Sequence, residues 1–105
     1  MEAFSIGQSG LNAASLGTAV TANNVANANS DGYKAKRLDL EEQKEGGVAA
    51  SKLEESQEST RPGGSNVDYA TEITNLMTQS GAYSANLKVM ETQSQLLGQT
   101  MDMKA

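Results

Sequence analysis

The chain of 105 residues contains no cysteine and no histidine. Those two absences remove disulfides, thiolate and imidazole metal sites, and the Ser-His or Cys-His pairs of nucleophilic catalysis. No catalytic residue, metal ligand or cofactor is expected. Large aliphatic residues and phenylalanine are scarce as well, at about a sixth of the chain, below the roughly one fifth under which burial struggles to offset the entropy of ordering. The net charge of −5 is too small for a highly charged disordered tail. No apolar run reaches the roughly 18 residues of a membrane span, and the N-terminus lacks the basic segment and apolar core of a Sec-type signal peptide. A single small domain with so thin a core completes it with copies of itself or with partners.

Charge is also missing in two specific places. From Ala3 to Ser30 there is no Asp, Glu, Lys or Arg, and from Ile73 to Leu87 there is again none. A helix exposed on one side normally carries charge on that side. Both stretches are too rich in Ser, Thr, Asn and Gln for a bilayer, so they read as protein-covered. Most of the charge lies between Asp31 and Arg61, and Leu38 to Thr60 is strongly acidic. The middle is built for water and the ends for contact.

What is present is periodic. Residues from about 3 to 29 read as a helix in which Phe4, Leu11, Thr18 and Val25 recur every seven residues, beside a second row of Ile6, Ala13 and Val20. Gly7, Gly10 and Gly17 each cost about 1 kcal/mol relative to alanine in a helix, which makes sense where backbones approach closely. Asp31-Gly32 supplies a stop. Residues 38–66, broken by Gly46-Gly47 and Pro62-Gly63-Gly64, read as a flexible acidic linker, with a short helix over 49–57 or a loose hairpin at Gly46-Gly47 as options. Ser65 or Asn66 is expected to cap a second helix, with Asp68 at its positive end. From there Tyr69, Leu76, Tyr83, Met90 and Leu97 recur every seven residues, with Ile73, Leu87 and Met101 in companion positions and Ser80 and Ser94 between them. That is a heptad seam of roughly 54 Å. The expected architecture is all-α: two long terminal helices packed as an antiparallel coiled-coil hairpin, in segments 1–37, 38–66 and 67–105.

Between these elements the stretch Thr21 to Arg37 holds Asn23, Asn24, Asn27 and Asn29, followed by Gly32 and Tyr33. Asparagine is a poor helix-interior residue, because its amide competes for backbone hydrogen bonds. Buried, such amides satisfy the turning backbone and reach a neighbouring helix.

Two segments resemble a known family. "SGLNAA" at 9–14 followed by "NNVANANSDGYKAKR" at 23–37 is similar to the N-terminal signature of bacterial flagellar rod and hook axial proteins. Residues 65–103 resemble that family's C-terminal helix in the Asn-Val opening, Glu72, Ala82-Tyr83, Asn86 and Lys88-Val89. Ser30-Asp31 departs from the usual Ser/Thr followed by Pro or a small residue before Gly-Tyr, and Ser80-Gly81 replaces the usual Gln-Arg before Ala-Tyr. The short middle leaves no room for an added β-domain, which favours a proximal-rod type of subunit. The resemblance implies terminal helices packed as the coiled-coil core of a helical tube, the drive shaft through the cell envelope. It implies self and other rod proteins as partners, and passage through the flagellar type III export apparatus without a cleaved signal.

Other classes fare worse. Lys34, Lys36 and Arg37 beside Tyr33 make a weak nucleic-acid footprint in a chain of pI about 4.6, and are expected instead to pair with acidic surface such as Glu41-Glu42 on a neighbour. Glu54-Glu55, in a mobile linker, would have no pocket to tune them for catalysis. The alternative retained is a coiled-coil adaptor or export-associated helper that closes as a dimer or tetramer rather than forming an open polymer.

Overall fold

A computed structural model describes residues 3–104 of the chain, with side-chain surroundings for 4–98. The elements run α1 (Ala3–Ala26), β1 (Lys36–Glu42), β2 (Val48–Glu55) and α2 (Tyr69–Lys104). The molecule is elongated, 68 × 24 × 14 Å. Gly7 of α1 lies against Met90, Gly10 against Asn86 and Gly17 against Gln79, while Asn24 bonds to Glu72. The two helices are therefore antiparallel. Among the described residues no helix is long and apolar enough to cross a membrane.

The all-α expectation is corrected by the middle of the chain. Residues 36–55 form a two-stranded antiparallel sheet and not a flexible linker. Its turn is at Gly46-Gly47, where both glycines have positive φ (99° and 90°), a conformation glycine adopts without steric penalty. Gln43 N–H donates to Gly47 O, and Gly46 N–H to Gln43 O. Pairing runs from Lys36↔Glu55 to Glu42↔Val48, with a shift between Asp39 and Leu40 that leaves Ser51 unpaired. The short-helix option over 49–57 fails because β2 occupies Val48–Glu55. Leu38, Leu40 and Val48 face the helices across a shared groove, and that tertiary contact outweighs the helical propensity of Ala-Ala-Ser-Lys-Leu-Glu-Glu.

Both helix boundaries also differ from expectation. α1 ends at Ala26, and residues 27–32 turn before Gly32, whose φ is 73°. The cap of α2 is Asp68 rather than Ser65 or Asn66: its Oδ1 accepts from Ala70 N–H at 3.1 Å and its Oδ2 from Thr71 Oγ1 at 3.2 Å.

Candidate functional site

The asparagine-rich turn resolves into one buried node and a surface ladder. Asn24, 2% exposed, uses its full hydrogen-bonding capacity. Its Nδ2 donates to Glu72 Oε1 at 2.6 Å and to Lys36 O at 2.8 Å. Its Oδ1 accepts from Tyr33 Oη and from Lys36 N–H, both at 2.9 Å. One amide thus ties the end of α1 to the start of β1 and the first turn of α2. Burial, and secondarily the nearby Glu72 and Glu55 carboxylates, push the Tyr33 phenol above its ordinary value of 10.0. The Lys36 ammonium sits 4.9 Å over the Tyr33 ring. Asn27 Nδ2 donates instead to Asn23 O and Oδ1, and Asn27 Oδ1 accepts from Ser30 Oγ on the surface, and Asn29 is exposed.

A second knot lies beside this node and joins Ser65 and Asn66, expected only as helix caps, to the turn after α1. Ser65, fully buried, donates from Oγ to Ala28 O at 2.6 Å and accepts from Val67 N–H at 3.1 Å. Gly32 N–H donates to Gly64 O at 2.9 Å, and Asn66 N–H to Tyr33 O at 3.2 Å. Asn66 Oδ1 accepts from Ala35 N–H at 2.7 Å, while its Nδ2 donates to Ser56 Oγ and Glu58 O. The Arg61 guanidinium reaches Ala28 O and Val67 O. The Ser-Asn-Val segment before a capped helix was the available signal, but its partners across the junction, Ala28, Tyr33 and Ala35, lie more than thirty residues away and leave no local trace.

Along the rest of the helix pair the inner contact is small against polar. On α1 it is Gly7, Gly10, Ala14, Gly17, Thr21 and Asn24, spaced alternately three and four. On α2 it is Glu72, Gln79 and Asn86, each seven apart, with Met90, and the half-buried Gln93 continues the same interval. Thr21 Oγ1 donates to Gln79 Oε1 at 3.3 Å. A Cβ added at Gly10 would meet the Asn86 carboxamide at 2.5 Å, and one at Gly17 the Gln79 amide at 2.9 Å. The glycines are there because amide side chains fill the space a methyl would take.

The large apolar residues are mostly elsewhere. Tyr83 is 42% exposed, Ile73 56% and Leu97 61%, and Phe4, Val25, Tyr69, Leu76 and Leu87 are exposed too. Leu11, Val20 and Met90 are half-buried, and the side chain of Met101 lies outside the described residues. The strand hairpin and the groove beside it involve Ile6, Ser9, Ala13 and Val20 of α1 and Asn75, Thr78 and Ala82 of α2. At about 100° per residue, Phe4, Leu11 and Val25 and likewise Ile73, Tyr83 and Leu87 fall on the opposite side of the helix pair. One flank is therefore apolar, without charge on α2 from Ile73 to Leu87, and the other carries the charged hairpin.

Four of the hairpin's charged residues, Arg37, Asp39, Lys52 and Glu54, partner one another. Arg37 bonds to Glu54 and, at 3.2 Å, to Asp39, and Lys52 pairs with Glu54 at 2.7 Å. The Glu54 bond raises the Lys52 pKa. A groove of about 360 Å³, lined by Ala13, Ala14, Gly17, Leu38, Leu40 and Val48 among others, separates hairpin from helices.

Comparison with protein families agrees with this two-ended organisation. The family described as "Flagella basal body rod protein" matches residues 4–34, and the family "Flagellar basal body rod FlgEFG protein C-terminal" matches residues 63–103. No individual curated protein matches the chain. The two matched segments take in the two helices and the junction that joins them, and the chain belongs to the flagellar basal-body rod family.

Proposed function

We propose that this chain, a structural component of the flagellar basal-body rod, builds that rod by self-assembly. The apolar flank of its α1–α2 pair packs against copies of itself and against other rod proteins, and the acidic strand hairpin stays outside the contact. The observation that carries this reading is the exposed row Tyr69, Ile73, Leu76, Tyr83 and Leu87 on a helix without charge from Ile73 to Leu87. A contiguous apolar face of that kind marks an interaction surface. The same economy of private core suits delivery of the chain, loosely folded, through the flagellar type III export apparatus.

The test is a pair of charge insertions on the flank, Leu76→Glu and Tyr83→Glu. Each variant is expected to fold to the wild-type helix content, to leave the cell body through the export route, and to be absent from purified basal bodies. Wild-type incorporation of both would remove the flank from the assembly. A soluble dimer or tetramer that dissociates in both variants, with no incorporation even of the wild type, would assign the chain to a closed oligomer instead.

A further inference from the structure

The inner contact between α1 and α2 has a property that its sequence spacing makes visible. The gaps on α1 at Gly10 and Gly17 and the amide at Asn24 are seven residues apart, and the side chains that meet them, Asn86, Gln79 and Glu72, are also seven apart. The fourth rung, Gln93, is again a long polar residue and half-buried. Gln79 and Asn86 each offer a flexible amide to a glycine, and Glu72 offers its carboxylate to Asn24. Sliding α2 by one heptad, about 10 Å at 1.5 Å per residue, would set Gln79 against Asn24, Asn86 against Gly17 and Gln93 against Gly10. Each of these pairings again sets a flexible amide against a glycine or another amide. The exposed row slides with it, since Tyr69, Leu76, Tyr83 and Leu97 lie on the same seven-residue interval, and Leu97 takes the place of the half-buried Met90.

We infer that the helix pair is degenerate to a one-heptad slip, and that the polar knot at its base is the key that selects one register. Two features distinguish the base from the rungs. Glu72 is the sole carboxylate among the four rungs, and it is 4% exposed, so a register that withdraws it from Asn24 breaks a buried carboxylate–amide hydrogen bond. Ser65 and Val67, immediately before α2, are sealed against Ala28 and the Arg61 guanidinium, which fixes where α2 begins relative to the end of α1. A single buried polar residue choosing among registers that apolar or small contacts leave equivalent is the best-attested use of buried polarity in helical pairs. Here it also decides which stretch of the apolar flank stands opposite the strand hairpin, and so which face the subunit offers. This inference concerns the lone chain and holds whether or not the flank assembles as proposed.

The experiment moves the key by one rung. The full chain has no native cysteine, so Ala22→Cys and Thr92→Cys, both exposed positions, accept one spin label each. The distance between them, along the long axis on opposite helices, is read by pulsed dipolar spectroscopy. The otherwise unchanged chain is expected to give one distance. The variant Glu72→Gln/Gln79→Glu with Ser65→Ala places the carboxylate one heptad along and loosens the knot, and is expected to give a second peak displaced by about 10 Å. Ser65→Ala alone, with the carboxylate left in place, is expected to keep the original peak. A single unshifted peak in the transplanted variant overturns the inference. So does a broad unfolded distribution there while Ser65→Ala stays folded, because the rungs would then be unable to hold a second register.

Discussion

The two longitudinal faces of α2 obey the same seven-residue period and have opposite chemistry. The inward row, Glu72, Gln79, Asn86 and Gln93, is polar, and the outward row, Tyr69, Leu76, Tyr83 and Leu97, is apolar. In an ordinary two-helix domain the assignment would be reversed, because apolar burial is the main favourable term of folding. The inversion teaches that this chain uses hydrogen bonding to fix its own shape and leaves its apolar area uncovered, as the proposed assembly requires. Changes to the inward row should therefore be read out in the fold, and changes to the outward row in assembly.

The largest effect is expected at Asn24. Asn24→Leu removes both donors and both acceptors from the junction and leaves the buried Glu72 carboxylate without its partner, at a cost of about 3 kcal/mol. Urea unfolding followed by helix circular dichroism checks this, and a loss below about 1 kcal/mol would break the comparison at its inward side. Next is the pair Gly10→Val and Gly81→Ala. The first drives a branched side chain into the Asn86 carboxamide and should cost about 2 kcal/mol. The second adds a methyl where nothing lies within 4 Å and should gain up to about 1 kcal/mol through helix propensity. Equal effects at the two glycines would mean that close approach is not what the inward row requires. The smallest is Tyr33→Phe, which deletes one hydrogen bond to Asn24, worth about 1 kcal/mol. The folded protein holds the Tyr33 phenol above 10.0, so its neutral form is favoured by folding. That contribution is fully present below pH 10 and fades as pH rises through the raised value. Wild type and Tyr33→Phe should converge in stability above pH 10, and a difference that instead widened there would assign the phenol the opposite role.

Much of this was legible in the residues. The two uncharged stretches, the heptad rows and the glycines in α1 were plain from spacing alone, as was the concentration of charge in the middle. The strand hairpin was less so, although its signals were present: Leu38-Asp39-Leu40-Glu41 alternates and Gly46-Gly47 sits between two runs. The second run, Val48 to Glu55, is composed largely of helix formers, and its strand state is imposed by pairing with β1. The direction of the α2 rows was harder still. Periodicity fixes which residues share a face but not which face turns inward, and with an apolar row available the polar row is the unexpected choice. Asn24 could be picked out from a crowd of asparagines only by Glu72 and Lys36, the first of them 48 positions along the chain.

The polar ladder between the helices has a calorimetric consequence. Unfolding the lone subunit hydrates amides and glycine backbone more than hydrocarbon, and polar exposure lowers the heat-capacity increment that apolar exposure raises. The increment for the isolated chain should fall below the usual 12–15 cal/mol/K per residue, which flattens its stability curve and pushes cold denaturation far below freezing. The missing heat capacity belongs to the outward row, and it should appear as a large negative change when that row is covered by another molecule.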